Sequence, residues 1–202
     1  MILQFYKLIM ATLIWCLTSG TVQADIKLGL TPLSQSADTL ALAITVSGLG
    51  GGIAPAISTF DLNLQFNPDY LSYDNTVFGD PKLGDQLDVF NLGANLTSAT
   101  LNAPGILEVF ELSFAAPADL NAFQVASYTL AVIDFTVKQQ GSSPVSISIN
   151  ALGDAYGNPL SANVSPVTIN TVPLPAAVWL MAGGLGWVFK RKLSGMPCAS
   201  QA

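Results

Sequence analysis

The chain has 202 residues, half of them apolar and a tenth charged, with no histidine and a sequence pI near 4.2. That length suits one folded domain with appendages. Without an imidazole, and with the two cysteines confined to Cys16 and Cys198 near the ends, Ser-His-Asp and Cys-His nucleophilic machinery and the usual zinc sites are excluded from the body of the chain.

The N-terminus reads as an export signal. Lys7 supplies a positive charge, residues 8–17 (LIMATLIWCL) form an apolar run, and Val22-Gln23-Ala24 has the small-x-small form that signal peptidase cuts. Cleavage is placed between Ala24 and Asp25, giving a signal peptide over residues 1–24. A lipoprotein reading of Cys16 fails because the bulky Trp15 stands where a small residue is needed.

Residues 25–170 alternate with period two. Leu40, Leu42, Ile44 and Val46 interleave with Ala41, Ala43 and Thr45; Phe60, Leu62, Leu64 and Phe66 with Asp61, Asn63 and Gln65; Val145, Ile147 and Ile149 with Ser146 and Ser148. Such alternation gives strands with one dry and one wet face, the pattern of antiparallel sheets in sandwiches. Further strands are predicted over 26–30, 71–78, 87–92, 96–101, 106–114, 128–137 and 164–169. The adjacent apolar pairs Val109-Phe110 and Val132-Ile133 mark a β-bulge or a strand passing between sheets. Gly48–Gly52, Asn67-Pro68-Asp69, Ala103-Pro104-Gly105 and the segment 153–159 carry turn chemistry. Residues 115–126 read as a helical turn or an irregular crossover. The predicted fold is all-β, a two-sheet jelly-roll sandwich of about nine strands.

Beyond this body, residues 172–189 are uncharged and end at the basic triplet Lys190, Arg191 and Lys192. At about 1.5 Å per residue they span roughly 27 Å, close to a bilayer core of about 30 Å, so a transmembrane helix is predicted. The triplet is the cytoplasmic stop, and Trp179 and Trp187 occupy interfacial positions. Residues 193–202 are then a cytoplasmic tail.

The folded body sets three lysines (Lys27, Lys82, Lys138) against all thirteen carboxylates. Such a surface repels nucleic acid and anionic lipid. Asp69, Asp74, Asp80, Asp85 and Asp88 offer the hard oxygen ligands that suit calcium, but their spacing matches no calcium loop, and the reading is a solvated, loop-rich rim with no cofactor. Glu108 and Glu111 lie three apart on one strand and face opposite sides, a poor acid–nucleophile pair for a glycosidase. All three tryptophans fall outside the body, which leaves Tyr70, Tyr73 and Tyr156 as candidate ligand contacts for a cleft that binds a sugar.

Two resemblances follow from these residues. Val172-Pro173-Leu174-Pro175, the apolar span and the basic triplet together resemble a PEP-CTERM sorting signal, in the variant with Leu at the central acidic position. The ten residues after the triplet make a longer tail than that family carries. The resemblance implies a Gram-negative, exopolysaccharide-secreting host, a transient membrane anchor, and processing by an exosortase near the Pro-x-Pro motif. Residues 59–71 (TFDLNLQFNPDYL) are similar to the cohesin pattern of an alternating strand, an Asn-Pro turn and a hydrophobic anchor, and 79–85 and 128–137 match further cohesin elements. That implies a cohesin-like jelly roll.

The sequence thus predicts a non-catalytic protein of the cell surface or extracellular matrix that binds a protein or polysaccharide. A dedicated carbohydrate-binding module is the alternative, and a carboxylate glycosidase a remote one. Intact-mass measurement of the protein from its native host is expected to give termini at Asp25 and near Pro175. Recovery of residues 190–202 in the mature species excludes sorting by cleavage.

Overall fold

The computed structural model describes residues 25–171. The predicted signal peptide up to Ala24, the sorting motif Val172 to Pro175, the basic triplet 190–192 and the tail lie outside the described residues. Among the described residues no helix is long and apolar enough to cross a membrane.

Ten strands and one short helix make up the domain. They are β1 (Ile26–Gln35), β2 (Thr39–Ser47), β3 (Ile57–Gln65), β4 (Leu71–Phe78), β5 (Asn95–Ala103), β6 (Ile106–Ser113), α1 (Pro117–Phe123), β7 (Ser127–Val137), β8 (Gly141–Asp154), β9 (Ala162–Ser165) and β10 (Val167–Thr171). The first sheet has the order β4-β7-β2-β1-β9 and the second β10-β8-β3-β6-β5. Neighbours pair antiparallel except β1 with β9, which run parallel.

Alternation decides what each sheet buries. Leu40, Leu42, Ile44 and Val46 of β2 and Ile133 and Phe135 of β7 face Phe60, Leu62 and Leu64 of β3 and Leu107 and Val109 of β6, forming one contiguous core. Phe66 meets Phe135 edge-on, with ring centroids 5.0 Å apart, and so ties the start of the β3–β4 connection to the opposite sheet. The strands run between two poles. The loop pole gathers residues 48–56, the long segment 79–94, α1 and the turn after β8; the turn pole gathers residues 66–70, 103–105 and 138–141.

The structure corrects several expectations. Residues 87–92 are not a strand: the Asp85 carboxylate accepts the N–H of Leu87, Asp88 accepts those of Leu92 and Gly93, and Asn91 sits at φ +53°, so the segment coils on its own side chains. Val109 and Phe110 mark no bulge, since β6 alternates without interruption, with Leu107, Val109, Glu111 and Ser113 inward. In β7 the extra residue is Leu130, between the partners of Ile44 and Thr45, rather than the pair at 132–133. The last expected strand is two, divided at Pro166, which has no N–H to give a ladder; β9 joins one sheet and β10 the other. Residues 115–126 contain α1, closed by Gln124. The buried Gln124 amide accepts the Ile57 N–H (2.6 Å) and donates to the carbonyls of Ile57 (2.9 Å) and Gln86 (3.0 Å), standing in for a strand neighbour.

Leu62→Ala, which empties a fully buried position at the centre of β3, is expected to lower unfolding free energy by about 2–5 kcal/mol in urea titration. Val77→Ala, at a position 53% exposed, is expected to change it by no more than about 0.5 kcal/mol.

Candidate binding surface

The outer face of the second sheet is a flat, mixed surface. Across β3, β6 and β5, Asp61 lies opposite Phe110 and Phe110 opposite Ser98; Asn63 lies opposite Glu108 and Glu108 opposite Thr100; Leu112 lies opposite Leu96. These residues point away from the core because their neighbours in each strand point into it. Phe110 and Leu112 are partly exposed and Leu96 is 53% exposed, so an apolar strip crosses the two outer strands. Beside it a polar row is pre-ordered: Asn150 donates to Asp61 (2.9 Å) and Asn63 donates to Asn150 (3.0 Å). Asn102 holds Glu108 at 2.5 Å. The ionisable groups of this face are Asp61 and Glu108; the three lysines of the domain lie elsewhere, on β1, in the loop-pole segment and just after β7.

Under the loop pole sits a group the sequence reading missed. Glu111 is wholly buried on the inward side of β6. Asn95 bridges it to Asp85, donating to Glu111 Oε1 at 2.7 Å and to Asp85 Oδ2 at 2.5 Å. Burial, then the adjacent Asp85 carboxylate, push the Glu111 carboxyl up to about 8, with Asp88 adding to the effect and the Asn95 hydrogen bond opposing it. At neutral pH Glu111 is therefore held in its uncharged form. The phenol of Tyr128, buried on the opposite sheet, is raised well above its ordinary value by burial and by the charges of Glu111 and Asp85. The signal for this site was present in the Leu107, Val109, Glu111, Ser113 alternation, but the adjacent Val109-Phe110 pair obscured the parity.

The structure disperses the candidate aspartates. Asp69 belongs to the turn pole and Asp74 to the middle of β4, where its carboxylate accepts from Thr136 at 2.8 Å. Burial opposes ionisation of Asp80, but the N–H groups of Lys82, Thr129 and Leu83 outweigh it and hold the carboxyl below its ordinary value. Asp88 is 6% exposed, so this part of the expected solvated rim is buried. Among the described residues no group of three or more acidic side chains is arranged to hold a metal ion. Glu108 and Glu111 occupy opposite faces of β6, as their spacing requires.

Tyr70 and Tyr73 share the turn pole, both packed partly against the core, while Tyr156 stands at the loop pole, 68% exposed. A ladder of strand β3's length separates the poles by roughly 25 Å, so the three rings form no common platform. Tyr73 lines a cleft of about 450 Å³ at the open edge between β4 and β5, with Phe66, Pro68, Leu71, Ser72, Leu101, Asn102, Pro104 and Lys138.

Comparison of the whole chain decides the architecture. The sixth cohesin of scaffoldin B from Acetivibrio cellulolyticus, solved in complex with the Cel5 dockerin, is similar with a TM-score of 0.55 and 18% identity over 72% of this chain and 98% of its own. The domain has a cohesin-like fold. The OlpA cohesin of Clostridium thermocellum, solved with dockerin Doc918, matches with a TM-score of 0.56 and 13% identity over 72% of this chain and 98% of its own. A non-cellulosomal cohesin from the archaeon Archaeoglobus fulgidus matches at 0.54 and 14% identity over 76% and 96%. No family model matches the chain, and no curated protein matches it. At these identities the likeness is one of fold.

The carboxyl of Glu111 sets a pH dependence. Its folded value lies above the unfolded one, so between about 4.5 and 8 the folded domain holds a proton that the unfolded chain has released. Stability therefore falls as pH rises through that window and levels off above it, by on the order of a few kcal/mol in total. Glu111→Gln preserves the shape and the neutral state. It is expected to flatten this slope and to raise the melting temperature at pH 8 while leaving it nearly unchanged at pH 4.5, by thermal denaturation across pH.

Proposed function

We propose that this chain is an exported, non-catalytic binding module that engages a protein partner through the outer face of its β8-β3-β6-β5 surface. The observation that carries this reading is the face itself: an exposed Leu96–Leu112–Phe110 strip flanked by Asp61 and Glu108 on a rigid sheet. Apolar anchors surrounded by ordered polar groups are how protein interfaces combine affinity with orientation. Two carboxylates and no lysine favour a partner with basic side chains opposite the rows at Asp61 and Glu108. Cohesins solved with dockerins supply precedent for protein recognition on this fold, though fold alone leaves the partner's identity to the surface chemistry.

Delivery is part of the same proposal. The export signal ending at Ala24 and the sorting motif Val172 to Pro175 support passage through the inner membrane of a Gram-negative cell by way of signal peptidase and exosortase. Transient anchoring through the apolar span is followed by release to the cell surface or matrix. The last described strand, β10, pairs Thr171 with Gly141 at the turn pole, the end of the domain away from α1.

A photo-crosslinking residue placed at Ser98, on this face, is expected to trap a protein on the surface of the native host, and the adduct is expected to disappear on Asp61→Lys or Glu108→Lys. The same crosslinker at Thr31, on the outer side of the other sheet, is expected to trap nothing comparable. Equal yields at both positions, or adducts indifferent to the charge reversals, argue that the face is not the interface.

A further inference from the structure

Away from the face proposed to bind protein, the structure carries a cleft whose chemistry differs. The cleft between β4 and β5 opens because both are edge strands on the same side of the sandwich, and the sheets part there. Its base is apolar, with Leu71 and Phe66 buried beneath and the half-exposed Leu101 above. Its walls are rings: Tyr73 from β4, Pro68 from the turn before it, and Pro104 from the β5–β6 hairpin. Ser72, Asn102 and Lys138 supply the polar rim. In a domain with thirteen carboxylates, none lines this cleft, and the one ionisable group of fixed charge there is the Lys138 ammonium.

The site is also held in shape before any ligand arrives. The Phe66 N–H donates to the Gly105 carbonyl at 2.9 Å, fastening the hairpin tip to the turn. Gly105 sits at φ +78°, and a Cβ there would lie 2.4 Å from the Phe66 carbonyl oxygen and 2.9 Å from Pro68; glycine is what allows the two walls to meet. The Lys138 N–H bonds the Tyr70 carbonyl (2.8 Å), and its ammonium is steadied by the Pro68 carbonyl at 2.9 Å. No carboxylate lies within ion-pair distance of that ammonium among the described residues. An ammonium has three N–H donors, so two remain for a ligand. A volume of about 450 Å³ falls in the range of roughly 300–1,000 Å³ typical of small-molecule sites.

We propose that this cleft binds a uronic-acid unit of an acidic polysaccharide. A pyranose has a C–H face that packs on aromatic and proline rings, hydroxyls at its edge for Ser72 and Asn102, and, when it is a uronate, a carboxylate for Lys138. No acid lies beside Lys138, where one would neutralise the charge and repel the sugar; the carboxylate nearest the rim, Glu108, is held by Asn102 on the outer face of β6.

The test uses the full chain in mild detergent, titrated by calorimetry with oligogalacturonate and oligomannuronate, with neutral cello-oligosaccharide and a poly-glutamate peptide as comparators. Saturable binding of at least one oligouronate is expected, weakened about tenfold or more by Lys138→Glu, since a charge-assisted hydrogen bond is lost. Lys82→Glu, which makes the same charge change at the loop pole, is expected to leave the affinity within about twofold, because its charge is screened at that distance. Circular dichroism confirms that the exposed Lys138 site has been altered in a folded domain. The proposal is overturned by any of four results: no saturable binding of either oligouronate, equal binding of the neutral oligosaccharide, tighter binding of poly-glutamate, or equal losses from the two lysine variants. Because Asp61 touches no residue of this cleft, loss of the protein interface through Asp61→Lys and loss of sugar binding through Lys138→Glu are separable.

Discussion

Everything in this domain depends on the mutual burial of two apolar sheet faces with no covalent support. Residues 25–171 contain no cysteine, so no disulfide restrains the unfolded chain. The inward rows of β2 and β7 and those of β3 and β6 must supply the stability by excluding water. That requirement fixes the direction of each side chain in those strands, and it is why the outer faces are free to carry recognition chemistry: a change at Ser98 or Asp61 touches none of the buried rows. The poles answer to a different constraint. There the chain must turn without regular pairing, and side-chain carboxylates and amides take over the backbone hydrogen bonds that strands would have made.

The loop pole shows how far that substitution goes. Gln124 and Gln86 link α1, the start of β3 and the 79–94 segment through buried amides, and Asp80, Asp85 and Asp88 each accept neighbouring N–H groups. Glu111 is the exception among these acids. It lies on a strand whose alternation turns it inward, and it meets the Asp85 carboxylate beneath the loop pole. Neutral, it is compatible with burial beside Asp85 and Asn95; ionised, it places a charge in an apolar setting. The arrangement lowers stability relative to an amide at the same position, and in exchange the loop pole is locked by a directional contact rather than by packing alone.

The alternation in β2, β3 and the middle of β8 was legible because those strands bury one face each and are wet on the other. Fold class, sheet type and the inward residues followed from it. What failed were places where a local interaction outranked periodicity. Residues 87–92 have an apolar pattern, yet Asp85 and Asp88 capture the backbone first. Pro166 sits in a run that reads as one strand, and its missing N–H moves the chain from one sheet to the other. Val109-Phe110 suggested a break in parity, but Phe110 is an outward residue on a face that tolerates an aromatic. The binding surface was the least legible part, for the same reason: its apolar strip is assembled from Leu96, Phe110 and Leu112, outward residues of two strands, and only their register shows that they are neighbours. The cleft at the turn pole draws on residues from 66 to 138, and Tyr73 alone among them was singled out from the sequence as a ligand contact.

Charge distribution unites the two surfaces. A domain this acidic is repelled by an acidic matrix at distances beyond contact, but at physiological ionic strength that repulsion decays over about 8 Å. Long-range charge of one sign then disfavours approach to other polyanions, and recognition of the acidic sugar proposed for the cleft rests on short-range contacts. Lys138 is placed for such a contact because the residues around it are neutral and rigid. Asp61 and Glu108 face the opposite problem: on the sheet they add to the general negative field, so a basic partner is steered toward them before it touches the Leu96–Phe110 strip. One acidic fold can therefore attract one kind of partner through its field and hold another through a local exception to it, with the buried rows between them indifferent to both.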